Sequence, residues 1–258
     1  MDSILLEVNN HIAIVTINRA DSLNSFNFDT LLQLEGKVKT ISQNQEIWAV
    51  IFTGAGEKAF SVGADLKERR NLTNEQVIRN LNQINSVFNL IDQLPKPTIA
   101  AINGYAFGGG MELALTCDFR IAAYGSQMGL TETSLAIIPG AGGTQRLPRL
   151  IGTAKALELI LTAKRFPAEE AMSFGLLTKV VPNTKVLSES LAFAEEMLMN
   201  GPIAIQQAKL AIKNGMDVNF QQGLEIEQKA YEKTIPTDDR LEALQAFLEK
   251  RKPVFKGK

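Results

Sequence analysis

The sequence predicts an α/β fold that is followed by a helical C-terminal region, and three observations support this. Strand-like and helical segments alternate through the first two thirds of the chain. Residues 48–53, WAVIFT, are apolar almost throughout, as expected of a strand in a sheet that is covered on both faces. From Lys185 onward the pattern is helical, with breaks at Gly201-Pro202 and at Pro236. We therefore expect an α/β core over residues 1–195 and a helical subdomain over residues 196–258.

The N-terminal part of the core contains a hairpin and two long helices. Asn9-Asn10, between two alternating apolar segments, indicates a β-hairpin turn. The segment 73–76, TNEQ, has the spacing of a capping box and predicts the start of a helix. We interpret the apolar stripe of this helix, from Val77 to Ile91, as core and not as a cofactor site. The elements expected here are strands at 4–8, 12–17 and 48–53 and helices at 27–43 and 73–90.

The second half of the core is built from shorter segments. Pro95 and Pro97 end the preceding helix and direct the chain into an extended run at 98–103. Three consecutive glycines then lead into a helix, after which the chain returns as a strand at 119–123. The remaining elements expected are helices at 154–162 and 168–174 and a strand at 179–181.

Length and composition indicate an ordinary globular protein. The 258 residues can bury roughly three quarters of the unfolded surface, and 45% of them are apolar and 21% charged. A net charge of -1 gives no general reason to expect nucleic acid or an anionic membrane as a partner. With Cys117 as the single cysteine, no internal disulfide can form. With His11 as the single histidine, neither a histidine triad nor a multi-histidine metal site is expected.

The sequence shows no signal for a membrane. No apolar run approaches the roughly 20 residues of a membrane span, and the N-terminus MDSILLEVNN lacks a basic region followed by a hydrophobic one. We therefore expect a cytoplasmic protein, or the mature form of one that has lost a presequence. Because His11 stands at the start of a strand, we expect it at a strand edge and assign acid–base chemistry to carboxylates.

A glycine triplet, Gly108 to Gly110, stands where the extended run turns into a helix. The first backbone N–H groups of a helix have no intrahelical partner and lie at the positive end of the helix dipole. Glycine lets a ligand approach that backbone closely, so the turn suits a developing oxyanion or a phosphate. A tight strand-to-helix turn, or a packing requirement, would equally account for three glycines.

Two glutamates, Glu112 and Glu132, lie near this turn in mostly apolar surroundings. A helix of about eight residues advances roughly 12 Å and a strand of five returns roughly 16 Å, so the two acids can meet. Two carboxylates at one reacting centre can hold a water and transfer protons in both directions, provided that burial raises at least one pKa. Either glutamate alone would be interpreted as a helix N-terminal charge or a surface acid.

Five segments together resemble the enoyl-CoA hydratase/isomerase (crotonase) family, and the match extends over nearly the whole chain. The resemblance implies a crotonase-like spiral of repeated β-β-α units. It also implies a carbon–oxygen lyase that reversibly adds water to trans-2-enoyl-CoA thioesters in fatty-acid or branched-chain acyl-CoA catabolism. No cofactor is implied, because coenzyme A is part of the substrate. The segments are INR at 17–19, FSVGADLK at 60–67, INGYAFGGGMELA at 102–114, IPGAGGTQR at 138–146 and FLEKRKP at 247–253.

The resemblance also implies a role for individual residues. The backbone N–H groups of Ala64 and Gly109 would form an oxyanion hole for the thioester oxygen. Glu112 would activate the water that adds at C3, and Glu132 would deliver the proton to C2. Lys67 is expected to contact the CoA phosphates. The 138–146 segment is expected to line the acyl pocket, where Gly140 and Gly142 leave room for a chain. The implied substrate and CoA contacts are Val62, Gly63, Asp65, Leu66, Lys67, Gly108, Gly140 and Phe255.

Two further parts of the chain are expected to contribute to CoA binding and to the assembly of subunits. The loop after INR borders the CoA nucleotide in the family, but Asp21, Ser22 and Leu23 replace the basic residue often found there, which weakens its expected share in phosphate binding. The C-terminal helices are implied to pack subunits into trimers or dimers of trimers. The last nine residues carry five cations, which indicates either a frayed, solvated tail or a segment, 250–255, that closes over the adenine end of CoA.

Within the family, the sequence leaves the reaction and the substrate open between close alternatives. The presence of both Glu112 and Glu132 favours a hydratase, because isomerases often keep only the second acid. A finer resemblance to methylglutaconyl-CoA hydratases rests on residues 63–69 (GADLKER), 128–149 and 234–244. That substrate is the second choice, since these motifs do not reveal the shape of the acyl pocket.

Two functions of other classes are disfavoured. RNA binding has been linked to the methylglutaconyl subgroup and would use the helix at 28–44, where the two lysines are accompanied by two acids and form no basic stripe. A serine hydrolase would need Ser61 in the G-x-S-x-G context, and Ala59 replaces its first glycine.

Overall fold

The computed structural model describes residues 2–258 and contains two β-sheets. Their strands are parallel except for the first strand of the larger sheet and the last strand of the smaller one. The larger sheet consists, in spatial order, of β1 (Ile4–Asn9), β2 (Ile12–Ile17), β3 (Ala49–Gly54), β5 (Thr98–Ile102), β7 (Phe119–Ala123) and β10 (Lys179–Val181). The smaller sheet consists of β4 (Ala59–Ser61), β6 (Tyr105–Phe107), β8 (Gln127–Gly129) and β9 (Phe166–Pro167).

Helices follow the strands at regular intervals and then dominate the C-terminal quarter. In residues 2–258 they are α1 (Phe28–Gln43), α2 (Leu66–Arg69), α3 (Asn74–Asp92), α4 (Gly109–Thr116), α5 (Gly143–Ile151), α6 (Thr153–Leu161), α7 (Ala168–Ser173), α8 (Val186–Leu198), α9 (Pro202–Gly215), α10 (Phe220–Glu232) and α11 (Asp238–Leu248). The capping box predicted for the third helix is present, with Thr73 as its N-cap.

Three β-β-α units form the core. In each unit the first strand joins the larger sheet and the second strand joins the smaller sheet, before the chain continues into helix. The strand pairs are β3 with β4, β5 with β6, and β7 with β8. This arrangement confirms the α/β fold of repeated β-β-α units.

The larger sheet is covered on both faces, as the apolar run at 48–53 predicts. All six residues of β3 are buried. Val50 and Phe52 belong to the main hydrophobic core, whereas Ile51 belongs to a second core with Val186 and Ala194 of α8. Since successive side chains of a strand point to opposite faces, a strand between two cores is apolar at almost every position.

The hairpin turn lies one residue later than the sequence indicates. Asn10 and His11 both have positive φ, at 46° and 66°, and connect β1 to β2. The second strand covers 12–17 as predicted, but His11 lies in the turn directly before it, because a two-residue hairpin turn of this kind needs positive φ at both central residues. The His11 ring instead stacks on Trp48, with ring centroids 3.9 Å apart.

The smaller sheet is the main feature that sequence periodicity does not reveal. The segment from Gly54 to Asp65 reads as one long turn, yet it contains β4. Its strands have only two or three residues, which is too short for an alternating pattern to be recognised.

The C-terminal tail is held against α11 and is not frayed. The backbone N–H groups of Lys256 and Gly257 donate to the Asp239 carboxylate at 2.7 and 2.8 Å. Arg251 forms an ion pair with Glu242 at 2.6 Å. The acids on α11 therefore fix the basic tail. Residue 195, where the sequence divides core from helical subdomain, lies inside α8, so that division stays a prediction.

Candidate active site

The carboxyl ends of three short strands converge on one edge of the smaller sheet. Strands β4, β6 and β8 are parallel neighbours, paired in that order. They lead, within three residues each, to Ala64, to the Gly108-Gly109 turn and to Glu132. Residues just beyond the carboxyl ends of adjacent parallel strands lie close together, and ligands of open α/β sheets bind there. The predicted donors and acid are thus brought together by strands that the sequence does not reveal.

Two backbone amides face the same space at this edge. Gly63 has φ of 83°, and a Cβ on it would lie 2.5 Å from the Gly109 nitrogen, so only glycine fits. A Cβ on Gly109 would in turn lie 3.8 Å from the Ala64 nitrogen. Among residues 2–258, neither the Ala64 nor the Gly109 N–H finds a backbone or side-chain acceptor. The close approach of the two segments therefore leaves a pair of adjacent, unused donors.

The first glycine of the triplet sets the direction of this turn. Gly108 has φ of 51° and ψ of -126°, which side chains other than hydrogen rarely allow. A Cβ on Gly108 would lie 3.1 Å from Oε1 of Glu132. The turn and the Glu132 carboxyl group are thus in direct contact.

Glu112 is held by a loop that wraps around its carboxylate. Its Oε1 accepts hydrogen bonds from the N–H groups of Ala141 at 2.7 Å and Gly143 at 2.9 Å. Its side chain is buried, and burial raises its pKa above the ordinary value, while these two hydrogen bonds partly oppose the rise. The nest-like loop predicted from IPGAGGTQR therefore binds an anion that belongs to the protein itself.

That loop is anchored in turn by Arg146. Its Nη1 donates to the carbonyl oxygen of Ala141 at 3.0 Å, and its Nε and Nη2 donate to Asp92 at 3.2 and 3.1 Å. Asp92 lies at the end of α3 and also pairs with Lys213 of α9. Arg146 thus fixes the amides that orient Glu112.

Glu132 is in a different environment. It is 9% exposed, and its Oε2 is buried without a hydrogen-bond partner among residues 2–258. Burial, assisted by the charge of Glu112, raises the pKa of Glu132 to about 7. A buried polar atom of this kind normally has a water or ligand partner. The two acids are therefore close enough to influence each other's ionisation. Glu112 accepts two backbone hydrogen bonds, whereas Oε2 of Glu132 has no hydrogen-bond partner in the part of the chain that the structure describes.

A cavity of about 1210 Å³ opens in front of these groups. Gly63 lies behind its wall and sets the approach of Gly109, as described above. Phe255 does not line it and instead lies near Gly201, 3.9 Å from where a Cβ of that glycine would be. The sequence-predicted residues that line the cavity are Val62, Ala64, Asp65, Leu66, Lys67, Gly108, Gly109, Glu112, Glu132 and Gly140.

Asp65 lines the cavity, but its carboxylate is already engaged. It caps α2 by accepting from the N–H groups of Lys67 and Glu68, and it forms an ion pair with Arg19 at 2.9 Å. Its position holds α2 against the loop after β2. Asp21, Ser22 and Leu23 of that loop also line the cavity.

The interpretation of the α3 stripe as core was wrong for its first half. Val77, Leu81 and Ile84 line the cavity, whereas Phe88 and Ile91 are buried in the main core. Periodicity identifies the face of a helix, but both the core and a cavity wall are apolar, so the pattern cannot separate them.

Two further cavity residues, Arg69 and Arg165, were not singled out from the sequence. A lone arginine carries no periodic or motif signal, and only the fold shows that both reach the cavity. In residues 2–258, no cluster of acids, histidine and cysteine could hold a metal ion, and no helix has the length and hydrophobicity needed to cross a membrane.

Comparison with known proteins gives consistent results. Residues 7–258 match the family model described as enoyl-CoA hydratase/isomerase. YngF of Bacillus subtilis, which carries the provisional name enoyl-CoA hydratase/isomerase, is 52% identical over 99% of both chains. The human mitochondrial methylglutaconyl-CoA hydratase is 45% identical over 98% of this chain and 76% of its own length.

A solved structure has the same architecture. The crystal structure of an enoyl-CoA hydratase from Bacillus anthracis superimposes with a TM-score of 0.97 at 49% sequence identity, over 99% of this chain and all of that one. The family match covers almost the entire chain and includes the glycine turn and both glutamates. This chain is therefore an enzyme of the enoyl-CoA hydratase/isomerase family, with the crotonase fold.

Proposed function

We propose that this enzyme reversibly adds water across the double bond of trans-2-enoyl-CoA thioesters to give 3-hydroxyacyl-CoA. One observation carries the proposal. Two acids with raised pKa values, Glu112 and Glu132, lie in one cavity beside two backbone N–H groups that have no acceptor in the protein. A hydratase needs both an oxyanion site and a pair of proton-transfer groups.

The amides account for the activation of the thioester. With its oxygen between the N–H groups of Ala64 and Gly109, the substrate gains the strongest hydrogen bonds when negative charge moves onto that oxygen. Because the donors are backbone groups in a rigid turn, they need no reorganisation during the reaction. Addition at C3 then produces an enolate-like species that the same amides stabilise.

The two acids account for the proton transfers. Glu112, held by Ala141 and Gly143, is oriented to accept a proton from the attacking water. Glu132, with a pKa of about 7, can hold a proton near neutral pH and deliver it to C2. During hydration Glu112 gains a proton and Glu132 loses one. Dehydration reverses both transfers, so the two directions use the same pair of acids.

The proposal predicts hydration of crotonyl-CoA with a defined pH dependence. Since the glutamate pair must hold one proton in total, kcat/KM should fall as the pH rises above about 7, where Glu132 loses its proton. The loss of enoyl thioester absorbance measures the rate. Dehydration of 3-hydroxybutyryl-CoA serves as the control and should fall over the same pH range, because both directions use the singly protonated pair. A forward rate that stays constant to pH 9 would contradict the role of Glu132.

Methylglutaconyl-CoA is the second candidate substrate, and the human relative named for it supports this choice. The acyl chain of that thioester is branched and ends in a carboxylate. Rates with crotonyl-CoA and with methylglutaconyl-CoA, compared under identical conditions, would rank the two candidates.

We also propose that the enzyme assembles into trimers or dimers of trimers through its C-terminal helices. Met216, Phe220 and Phe247 are 81%, 82% and 82% exposed in the single chain. Large apolar side chains that are this exposed in the C-terminal helical region are candidates for protein–protein contacts. Light scattering should give three or six times the chain mass, and Phe220→Ser with Phe247→Ser should reduce it while circular dichroism stays unchanged. A monomeric parent protein would refute the proposal.

A further inference from the structure

The cavity contains two arginines that the hydration chemistry does not use. Arg69 and Arg165 both line it. Among residues 2–258, neither guanidinium forms an ion pair or a hydrogen bond. The Arg165 guanidinium lies over the Phe107 ring, 4.8 Å from its centroid. Guanidinium groups that face a cavity without an acid partner are available to bind an anion.

The position of Arg69 is at the catalytic end of the cavity. It is half-buried at the C-terminal end of α2, the short helix that begins two residues after Ala64. Burial and the charge of Glu112 raise the pKa of Glu132, and the Arg69 guanidinium partly opposes them, which places its charge near that carboxyl group. Glu68, the adjacent acid, is occupied by the Phe28 N–H and the Asn80 side chain.

Arg165 is exposed and is connected to the same region through the smaller sheet. It directly precedes β9, which pairs with β8, the strand that leads to Glu132. The ring beneath its guanidinium, Phe107, directly precedes the glycine turn. Both arginines therefore line the cavity on segments that are connected to the oxyanion donors and to Glu132.

Lys67 does not share this role. On a helix, residues two positions apart point to nearly opposite sides, so Lys67 and Arg69 cannot serve one group. Lys67 is exposed, as expected for a contact to the CoA phosphates, whereas Arg69 is half-buried.

Several of the other residues that line the cavity are apolar, including Leu81, Ile84, Leu135 and Ile138. Such a wall suits the carbon chain of an acyl group but gives no reason for two unpaired cations. Burying a carboxylate against them would be costly without a partner, and the two arginines supply one.

We propose that Arg69, assisted by Arg165, selects enoyl thioesters whose acyl chain ends in a carboxylate. The inference deepens the proposed function and rests on it for the acyl-CoA ligand. It assigns the arginines to substrate selection and leaves the water addition to the glutamates and the backbone amides.

Binding of two saturated thioesters tests the proposal independently of catalysis. Glutaryl-CoA and pentanoyl-CoA both have five-carbon acyl chains without a double bond, and only the first carries a terminal carboxylate. By calorimetry, the parent enzyme should bind glutaryl-CoA at least about tenfold more tightly. Arg69→Gln should remove most of this preference and leave the affinity for pentanoyl-CoA unchanged, which also shows that the variant is folded. Arg165→Gln should cause a smaller loss.

Arg70→Gln is the matched control, because Arg70 is the next residue, is exposed and does not line the cavity. It should change neither affinity. Equal affinity of the parent for both thioesters, or an equal loss of both in Arg69→Gln, would overturn the proposal. Because neither thioester can be hydrated, a failure of the crotonyl-CoA hydration assay would refute the proposed reaction without affecting this measurement.

Discussion

Replacing Glu132 by glutamine is expected to lower kcat for crotonyl-CoA hydration by about a thousandfold, with little change in the affinity for acyl-CoA. Glutamine keeps the size and polarity of the side chain but cannot deliver a proton to C2, and general acid–base catalysis contributes factors of this order. Steady-state kinetics with crotonyl-CoA and binding of pentanoyl-CoA measure the two effects. Near-normal turnover in this variant would contradict the assigned role.

The same variant should be more stable than the parent at high pH, so lost activity cannot be attributed to unfolding. A carboxyl group whose pKa is raised in the folded state favours folding only while it is protonated. Its contribution is complete below the ordinary pKa of 4.5 and is lost as the pH rises through about 7. Glu132→Gln should therefore gain up to about 3 kcal/mol of unfolding free energy at pH 8 and nothing below pH about 4.5. Urea unfolding at both pH values measures this difference.

Replacing Gly109 by proline is expected to lower kcat by about a hundredfold to a thousandfold, since it removes one backbone donor of the oxyanion site. Gly109 is the first residue of α4, a position where helices accept proline because its N–H makes no intrahelical bond. The substitution therefore removes the donor with limited damage to the helix. Single-turnover kinetics with crotonyl-CoA would measure the loss.

Gly109→Ala is the matched control, because alanine keeps the backbone N–H. Its Cβ would lie 3.3 Å from Gly63 Cα and from Ile84 Cδ1, a tight but adjustable contact. We expect this variant to stay within about tenfold of the parent. If proline and alanine reduce kcat equally, the effect is steric and the N–H of Gly109 is not an oxyanion donor.

Much of the fold follows from local patterns in the chain. The capped start of α3, the continuously apolar β3 and the long C-terminal helices each have a signal that arises within a few neighbouring residues. Those signals are strong because secondary structure depends on hydrophobic period, caps and turn residues. The positions of the hairpin turn and of the β4 segment were not predicted correctly, because turn register and three-residue strands depend on pairing with distant strands.

In the candidate site, too, some features can be predicted from the sequence and others depend on the fold. The glycine triplet and the two glutamates can be identified from residue type and spacing, and their joint interpretation comes from resemblance to a family. Whether the acids meet depends on β6 and β8, which are neighbours only in the folded sheet. The donors of Glu112 at Ala141 and Gly143 likewise become visible only in three dimensions.

Chemistry that resides in one side chain, such as a carboxyl group, is present in the amino-acid sequence before folding. The electrostatic environment of such a group cannot be found in the sequence. Burial, the distance to a second charge and the absence of an ion-pair partner depend on atoms that are brought together from far along the chain. The pKa of about 7 at Glu132 and the unpaired guanidinium of Arg69 both arise in this way. Linear sequence thus identified the reacting groups, and tertiary packing decided their protonation and the charge that the acyl end of the cavity presents.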